Sequence, residues 1–159
     1  MNIEDVALKK LSTNDRTITE LKKYLFQKDF PEDEIERVIS DFILYGYLDD
    51  YRYCTGYFRY AFGKGRGKKR VFIELKQRGV ADNIIEEAFE DYIEEQVVDE
   101  KAMALKEAKK TLDKAGLTEG QEIPDKVIGR IARRLSALGY TSDIIFKTLD
   151  NIKRKNTWD

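Results

Sequence analysis

The residues whose types suit chemistry are concentrated between Tyr45 and Gly79. Asp49 and Asp50 stand side by side, and an adjacent carboxylate pair is one way to hold a divalent metal for a nuclease reaction. No further ligands are spaced to complete such a site. The bland alternative fits better: one acid caps the helix that follows, and both favour its positive N-terminal end. Cys54 is the chain's one cysteine. As a nucleophile it would want a histidine beside it, and the chain contains none. The missing histidine also removes the commonest general base and the commonest zinc ligand. A protein without catalytic residues, metal or cofactor is therefore expected, with Cys54 filling a small core position.

Binding is the stronger signal. From Gly63 to Arg78 there are seven cations, Lys64, Arg66, Lys68, Lys69, Arg70, Lys76 and Arg78, against the single acid Glu74, a local net of +6. A second basic stretch carries Lys126, Arg130, Arg133 and Arg134, with no acid from Lys126 to Tyr140. These eleven side chains are expected to meet phosphates or an acidic partner surface. Gly63, Gly65 and Gly67 predict a flexible loop able to approach a partner closely. It is not a phosphate-binding P-loop, because the spacing differs and no strand precedes it. Eight of the chain's 18 aromatic residues (nine Tyr, eight Phe, one Trp) lie between Tyr45 and Phe62. Tyr51, Tyr53, Tyr57, Phe58, Tyr60 and Phe62 have the chemistry to stack on bases. The i, i+4, i+7 spacing of Tyr53, Tyr57 and Tyr60 reads instead as packing between structural units.

Helices must position these groups. Apolar residues recur at helical spacing almost throughout, as in Ile35, Val38, Ile39, Phe42 and Ile43, and only two prolines interrupt. Leu21, Leu25, Phe30, Ile35, Ile39 and Phe42 fall on Val71, Leu75, Val80, Ile85, Phe89 and Tyr92 after a shift of 50 residues. A further shift of 60 brings Ile131, Leu135, Tyr140, Ile145, Leu149 and Ile152 into register, and all 18 positions are apolar or aromatic. Asp29, Gly79 and Gly139 coincide at the break between helices. The two glycines suit the left-handed position that ends a helix; Asp29 suits it less well. The next residue and the one five further on (Phe30 and Ile35, Val80 and Ile85, Tyr140 and Ile145) form hydrophobic staples.

A leading helix precedes each pair, over about Ile3 to Leu11, Asp50 to Phe62, and Glu95 to Ala115. Asn2 is a candidate cap, Thr17-Ile-Thr-Glu20 is a capping box, and the third leading helix is open to being a continuation of the one before it. The fold class is all-α: three tandem three-helix, helix-turn-helix-like repeats over 1–48, 49–94 and 95–155, forming an elongated, curved body. The middle helices are basic and the closing helices acidic. Ala81 to Glu100 carries nine acids and no base; Asp29 to Asp50 carries eight acids and one base, Arg37. The chain has 159 residues, is 37% charged and carries a net charge of −1. No run is long and apolar enough to span a membrane, the N-terminus lacks the pattern of a signal peptide, and one cysteine suits a reducing cytoplasm. A cytoplasmic monomer is expected.

Gly46-Tyr-Leu-Asp-Asp-Tyr-Arg52-Tyr53, the basic Gly65-Arg-Gly-Lys-Lys-Arg70 and Ile73-Glu-Leu-Lys-Gln-Arg-Gly79 together resemble the RecX family, which modulates the RecA recombinase. Ala7-Leu-Lys-Lys-Leu11 and Ile18-Thr-Glu-Leu-Lys-Lys-Tyr-Leu25 are similar to the family's opening. The resemblance covers about Val6 to Tyr92, and its motif residues are Gly46, Tyr47, Leu48, Asp49, Asp50, Arg52 and Tyr53. It implies a non-enzymatic regulator in DNA repair, homologous recombination and the SOS response. Such a protein binds in the groove of the RecA filament on single-stranded or duplex DNA and restrains filament growth, ATP hydrolysis and strand exchange. The competing expectation is a free-standing helix-turn-helix protein that reads duplex DNA. The acids on the candidate recognition helices argue against it.

Overall fold

The computed structural model describes residues 1–154, all but the last of them with side chains. Lys155, where the third expected repeat ends, lies outside the described residues. Among the described residues the regular structure is nine helices: α1 (Ile3–Thr13), α2 (Ile18–Gln27), α3 (Glu32–Leu44), α4 (Asp50–Gly63), α5 (Lys68–Gln77), α6 (Asp82–Glu95), α7 (Glu100–Lys114), α8 (Asp125–Ala137) and α9 (Ser142–Arg154). They gather into two compact units. One holds Met1–Phe58 and Ile73–Glu95; the other holds Arg59–Phe72 and the described chain from Gln96 onward. The helices α4 and α5 thus supply residues to both.

In the first unit the helix starts are set locally. The Asn2 side chain accepts the Asp5 N–H at 2.9 Å. At α2 the Thr17 hydroxyl accepts the Glu20 N–H, and the Glu20 carboxylate accepts the Thr17 N–H, completing the capping box. The apolar faces of α1, α2 and α3 then close on a core in which Ala7, Leu21, Leu25 and Val38 are fully buried. Each Leu or Val so buried contributes about 1.5–3 kcal/mol. In the same unit Phe58 of α4 lies edge-on to Phe89 of α6 at 5.5 Å and against Tyr92 at 5.4 Å.

The second unit contains α7, α8 and α9 around Ala104, Leu112, Ile131, Leu135 and Ile152. The third leading helix begins at Glu100, not at about Glu95, and is not a continuation of α6. The chain leaves helical geometry before Asp99, whose carboxylate accepts the Ala102 N–H at 3.1 Å. Three successive residues that disfavour a helix interior or prefer a cap, Val97, Val98 and Asp99, outweigh the absence of Gly and Pro there. Thr141 caps α9 as expected, accepting the Ile144 N–H at 3.4 Å. All 18 positions brought into register by the shifts are buried or half-buried.

The breaks at Asp29, Gly79 and Gly139 are all left-handed, with φ of 65°, 90° and 91°. Each ends its helix with the paired Schellman bonds, for example Gly79 N–H to Lys76 C=O at 2.9 Å and Val80 N–H to Leu75 C=O at 3.1 Å. The glycines have a second reason. In the first unit the C-terminal turn of α5 rests on the N-terminus of α2: the Thr17 hydroxyl donates to the Arg78 carbonyl at 2.7 Å, and a Cβ on Gly79 would fall 2.3 Å from the Thr19 side chain. In the second unit the C-terminal turn of α8 rests on the N-terminus of α5. There the Gly67 N–H donates to the Leu138 carbonyl at 2.7 Å, and a Cβ on Gly139 would fall 2.2 Å from the Arg70 Cβ. Thr17 and Gly67 are 50 residues apart, Arg78 and Leu138 60, which is the repeat register. In both junctions a positive helix N-terminus meets the negative C-terminus of another helix. Asp29 is exposed and can carry a side chain.

Candidate partner interface

The Gly46–Tyr53 motif proves to be a joint. Gly46 has φ 80° and ends α3; its N–H bonds the Ile43 carbonyl, and the Tyr47 N–H bonds that of Phe42. Leu48 is buried. Asp49 caps α4, accepting the Arg52 N–H at 3.0 Å. Asp50 does something the sequence did not suggest: its carboxylate crosses to α2 and accepts the Ile18 N–H at 2.9 Å. The two acids therefore serve two different helix N-termini. Burial pushes the Asp50 carboxyl up; the bond from Ile18 opposes this, and the neighbouring Asp49 and Glu20 charges add to it. Arg52 donates its guanidinium to the Gly46 carbonyl at 3.0 Å. The Tyr53 hydroxyl accepts from the Arg78 guanidinium at 2.6 Å. Cys54 is fully buried, and burial first, then Asp50 and Asp49, pushes its thiol up to about 12. No cluster of His, Cys, Asp and Glu among the described residues is arranged to hold a metal ion.

The cations divide into two groups. Arg70 and Arg78 are engaged inside the fold: Arg70 donates to the Ala137 carbonyl at 3.0 Å, and Arg78 also lies over the Tyr57 ring at 4.6 Å. Lys76 pairs with Asp82 at 3.3 Å on the surface. Lys64, Lys68, Lys69, Lys126, Arg130, Arg133 and Arg134 are exposed, and Arg66 is half-buried. On α8 the four cations recur at i, i+4, i+7 and i+8, one face of the helix. Since Gly67 bonds Leu138, the basic loop sits at the C-terminal end of α8, whose last turn carries Arg134. The second unit thus joins two basic segments that are far apart in sequence. Exposed lysines on α7, such as Lys101 and Lys106, extend the inventory. They were missed in the sequence because acids interleave with them.

The glycine loop is held, contrary to the expectation of flexibility. The Tyr140 hydroxyl donates to the Gly65 carbonyl at 2.6 Å, and the Lys68 N–H donates to the Glu100 carboxylate at 3.1 Å. Burial, with Glu107 and Glu100 nearby, raises the Tyr140 pKa, keeping it a donor. Gly65 has φ 84°, and a Cβ there would strike the buried Glu107 side chain; one on Gly67 would fall 2.9 Å from the Gly139 carbonyl oxygen. The close approach that these glycines permit is to the protein's own helices. Of the aromatics, Tyr57 and Phe58 are buried and Tyr53 and Tyr57 stack at 6.1 Å. Tyr60 departs from the packing expectation: it is 52% exposed, with the Lys64 ammonium 5.8 Å and the Arg66 guanidinium 5.4 Å from its ring.

Helices packed in two compact units, the second carrying exposed cations on the loop before α5 and along α8, define an all-α protein. Comparison with known proteins narrows this. The profile of the first three-helix domain of RecX matches residues 5–42, and that of the second matches residues 49–88. The regulatory protein RecX of Vibrio vulnificus is 36% identical over 89 residues, 56% of this chain and 58% of that protein. Its counterpart from Clostridium botulinum is 30% identical over 141 residues, 89% of this chain and 64% of that protein. The chain spans little more than half the length of several curated relatives that it matches. The crystal structure of RecX from Lactobacillus salivarius superposes with a TM-score of 0.74 at 24% identity, covering 94% of this chain and 93% of that one. The chain belongs to the RecX family of regulatory proteins.

Proposed function

We propose that the chain is a non-enzymatic modulator of the RecA recombinase, acting as an inhibitor. It docks in the groove of the RecA–DNA filament through its basic surface and restrains filament growth, ATP hydrolysis and strand exchange. Its repeats, 1–48, 49–94 and 95–155, work as one continuous array, and affinity is the sum of many modest contacts. The observation that carries this reading is that the Lys64–Arg70 loop is bonded, within the second unit, to the C-terminal end of α8, the helix bearing Lys126, Arg130, Arg133 and Arg134, in a chain whose net charge is only −1. A charge distribution this uneven steers binding toward an anionic surface. Family membership supports RecA as the partner. The proposed contacts are Lys64, Arg66, Lys68, Lys69, Arg70, Lys76, Arg78, Lys126, Arg130, Arg133 and Arg134. Arg70 and Arg78 also hold the fold, so their substitution is a poor probe of docking.

The test is RecA ATP hydrolysis on single-stranded DNA with and without the protein. Inhibition at about micromolar protein is expected, since interfaces of ordinary size reach this range. A rate unchanged by the protein would remove the proposal. The helix-turn-helix alternative gains no support, because the acids of α6, including Glu86, Glu87 and Glu90, are exposed where a recognition helix would face phosphates.

A further inference from the structure

We propose that Tyr60 is a base-stacking contact for single-stranded DNA, with the Lys64 and Arg66 cations beside it taking the adjoining phosphates. The inference deepens the functional reading above by naming the anion that the second unit's basic loop meets. Three observations carry it. Among the six aromatics from Tyr51 to Phe62, Tyr60 is the one whose side chain is exposed. Two cations lie over its ring, 5.8 and 5.4 Å from its centroid, so a ligand reaching the ring also reaches two positive charges. The scaffold under it is fixed: the Tyr60 carbonyl accepts the Lys64 N–H at 3.1 Å, and Gly65 and Gly67 are bonded to Tyr140 and Leu138. An acidic protein surface would need only the cations. A planar exposed ring among cations adds what single-stranded DNA offers, a π-face beside each phosphate, and stacking of this kind tolerates any base. Lys68, Lys69, and the α8 cations Arg133 and Arg134 extend the positive surface from the loop along the same unit. The Gly loop's bonding matters here, because a backbone already held in place loses little freedom when a ligand binds.

The experiment is fluorescence anisotropy of a fluorescein-labelled oligo(dT) titrated with the full chain alone, at low salt. The variants are Tyr60→Ala and Tyr60→Phe, each checked by thermal melting, and an abasic deoxyribose-phosphate oligomer of equal length is the control ligand. Wild type should bind the oligo(dT), Tyr60→Ala should weaken binding about tenfold, and Tyr60→Phe should keep it. The abasic oligomer should bind wild type about as weakly as oligo(dT) binds Tyr60→Ala. Equal affinities for wild type and Tyr60→Ala, equal affinities for the two oligomers, or no binding up to about 100 μM would each overturn the proposal. The titration contains no RecA, so its failure is separate from failure of the ATPase test.

Discussion

Asp50 shows how one carboxylate can look like chemistry and be architecture. Its pKa is higher in the folded protein than in the unfolded chain, so the folded state holds this proton more tightly. The stability it contributes is fully present below the ordinary carboxylate range and is lost as pH rises through the folded value. Asp50→Asn keeps an acceptor for the Ile18 N–H without the buried charge. Urea denaturation should show the stability difference moving in favour of Asp50→Asn between about pH 4 and pH 7; a difference that is flat or moves the other way would refute the account. Asp50→Ala leaves the Ile18 N–H without its acceptor and should cost about 1–2 kcal/mol. Cys54 offers a second check. With its thiol pushed up to about 12 and fully buried, it should fail to react with a disulfide reagent at about pH 8 until the protein is denatured. Rapid reaction of the native protein would contradict the burial.

At the scale of elements, the two junctions explain a difference among positions that the repeat makes equivalent. Gly79 and Gly139 meet the N-termini of α2 and α5, whereas Asp29 is exposed. Gly79→Ala and Gly139→Ala combine left-handed strain with a Cβ closer than 2.5 Å to a neighbouring side chain, and each should cost at least about 2 kcal/mol. Asp29→Gly exchanges strain for chain entropy and should stay within about 1 kcal/mol of wild type. Chemical denaturation of the three variants measures the contrast, and equal losses at all three positions would show that the turn alone, without the junction, sets the requirement. Much of the repeat was legible in the sequence: the apolar register, the Thr17 capping box and the Thr141 cap all stand. The start of α7 was not legible, because the break after α6 rests on β-branched residues and a cap in place of Gly or Pro.

At the scale of the whole molecule, the proposed docking rests on which charges are exposed. Reversing the α8 face with Arg130→Glu, Arg133→Glu and Arg134→Glu together should weaken RecA inhibition by more than about tenfold. Lys76→Ala, which removes a cation already paired with Asp82, should change it by less than about threefold. ATPase assays at rising salt should show inhibition falling as exposed charges are screened. Inhibition indifferent both to the α8 reversal and to salt would mean that the basic surface is not the docking surface. The candidate contacts were half legible in sequence. Counting Lys and Arg found the basic segments but could not separate Arg70 and Arg78, used within the fold, from Lys68, Lys69 and the α8 set, which are exposed.

What the sequence by itself determined is local. Helices, their caps, the three apolar registers and the left-handed breaks follow from interactions within about five residues, which periodicity and residue type record directly. Only the tertiary structure decided which helix end rests on which. Thr17 meets Arg78 across 61 residues, and Tyr140 meets Gly65 across 75. No local pattern encodes a partner at that distance. Those long contacts turned the Gly63–Gly67 loop from a flexible arm into a fixed platform and assigned Asp50 to a helix other than its own, while Tyr60, alone among the six aromatics from Tyr51 to Phe62, is left exposed.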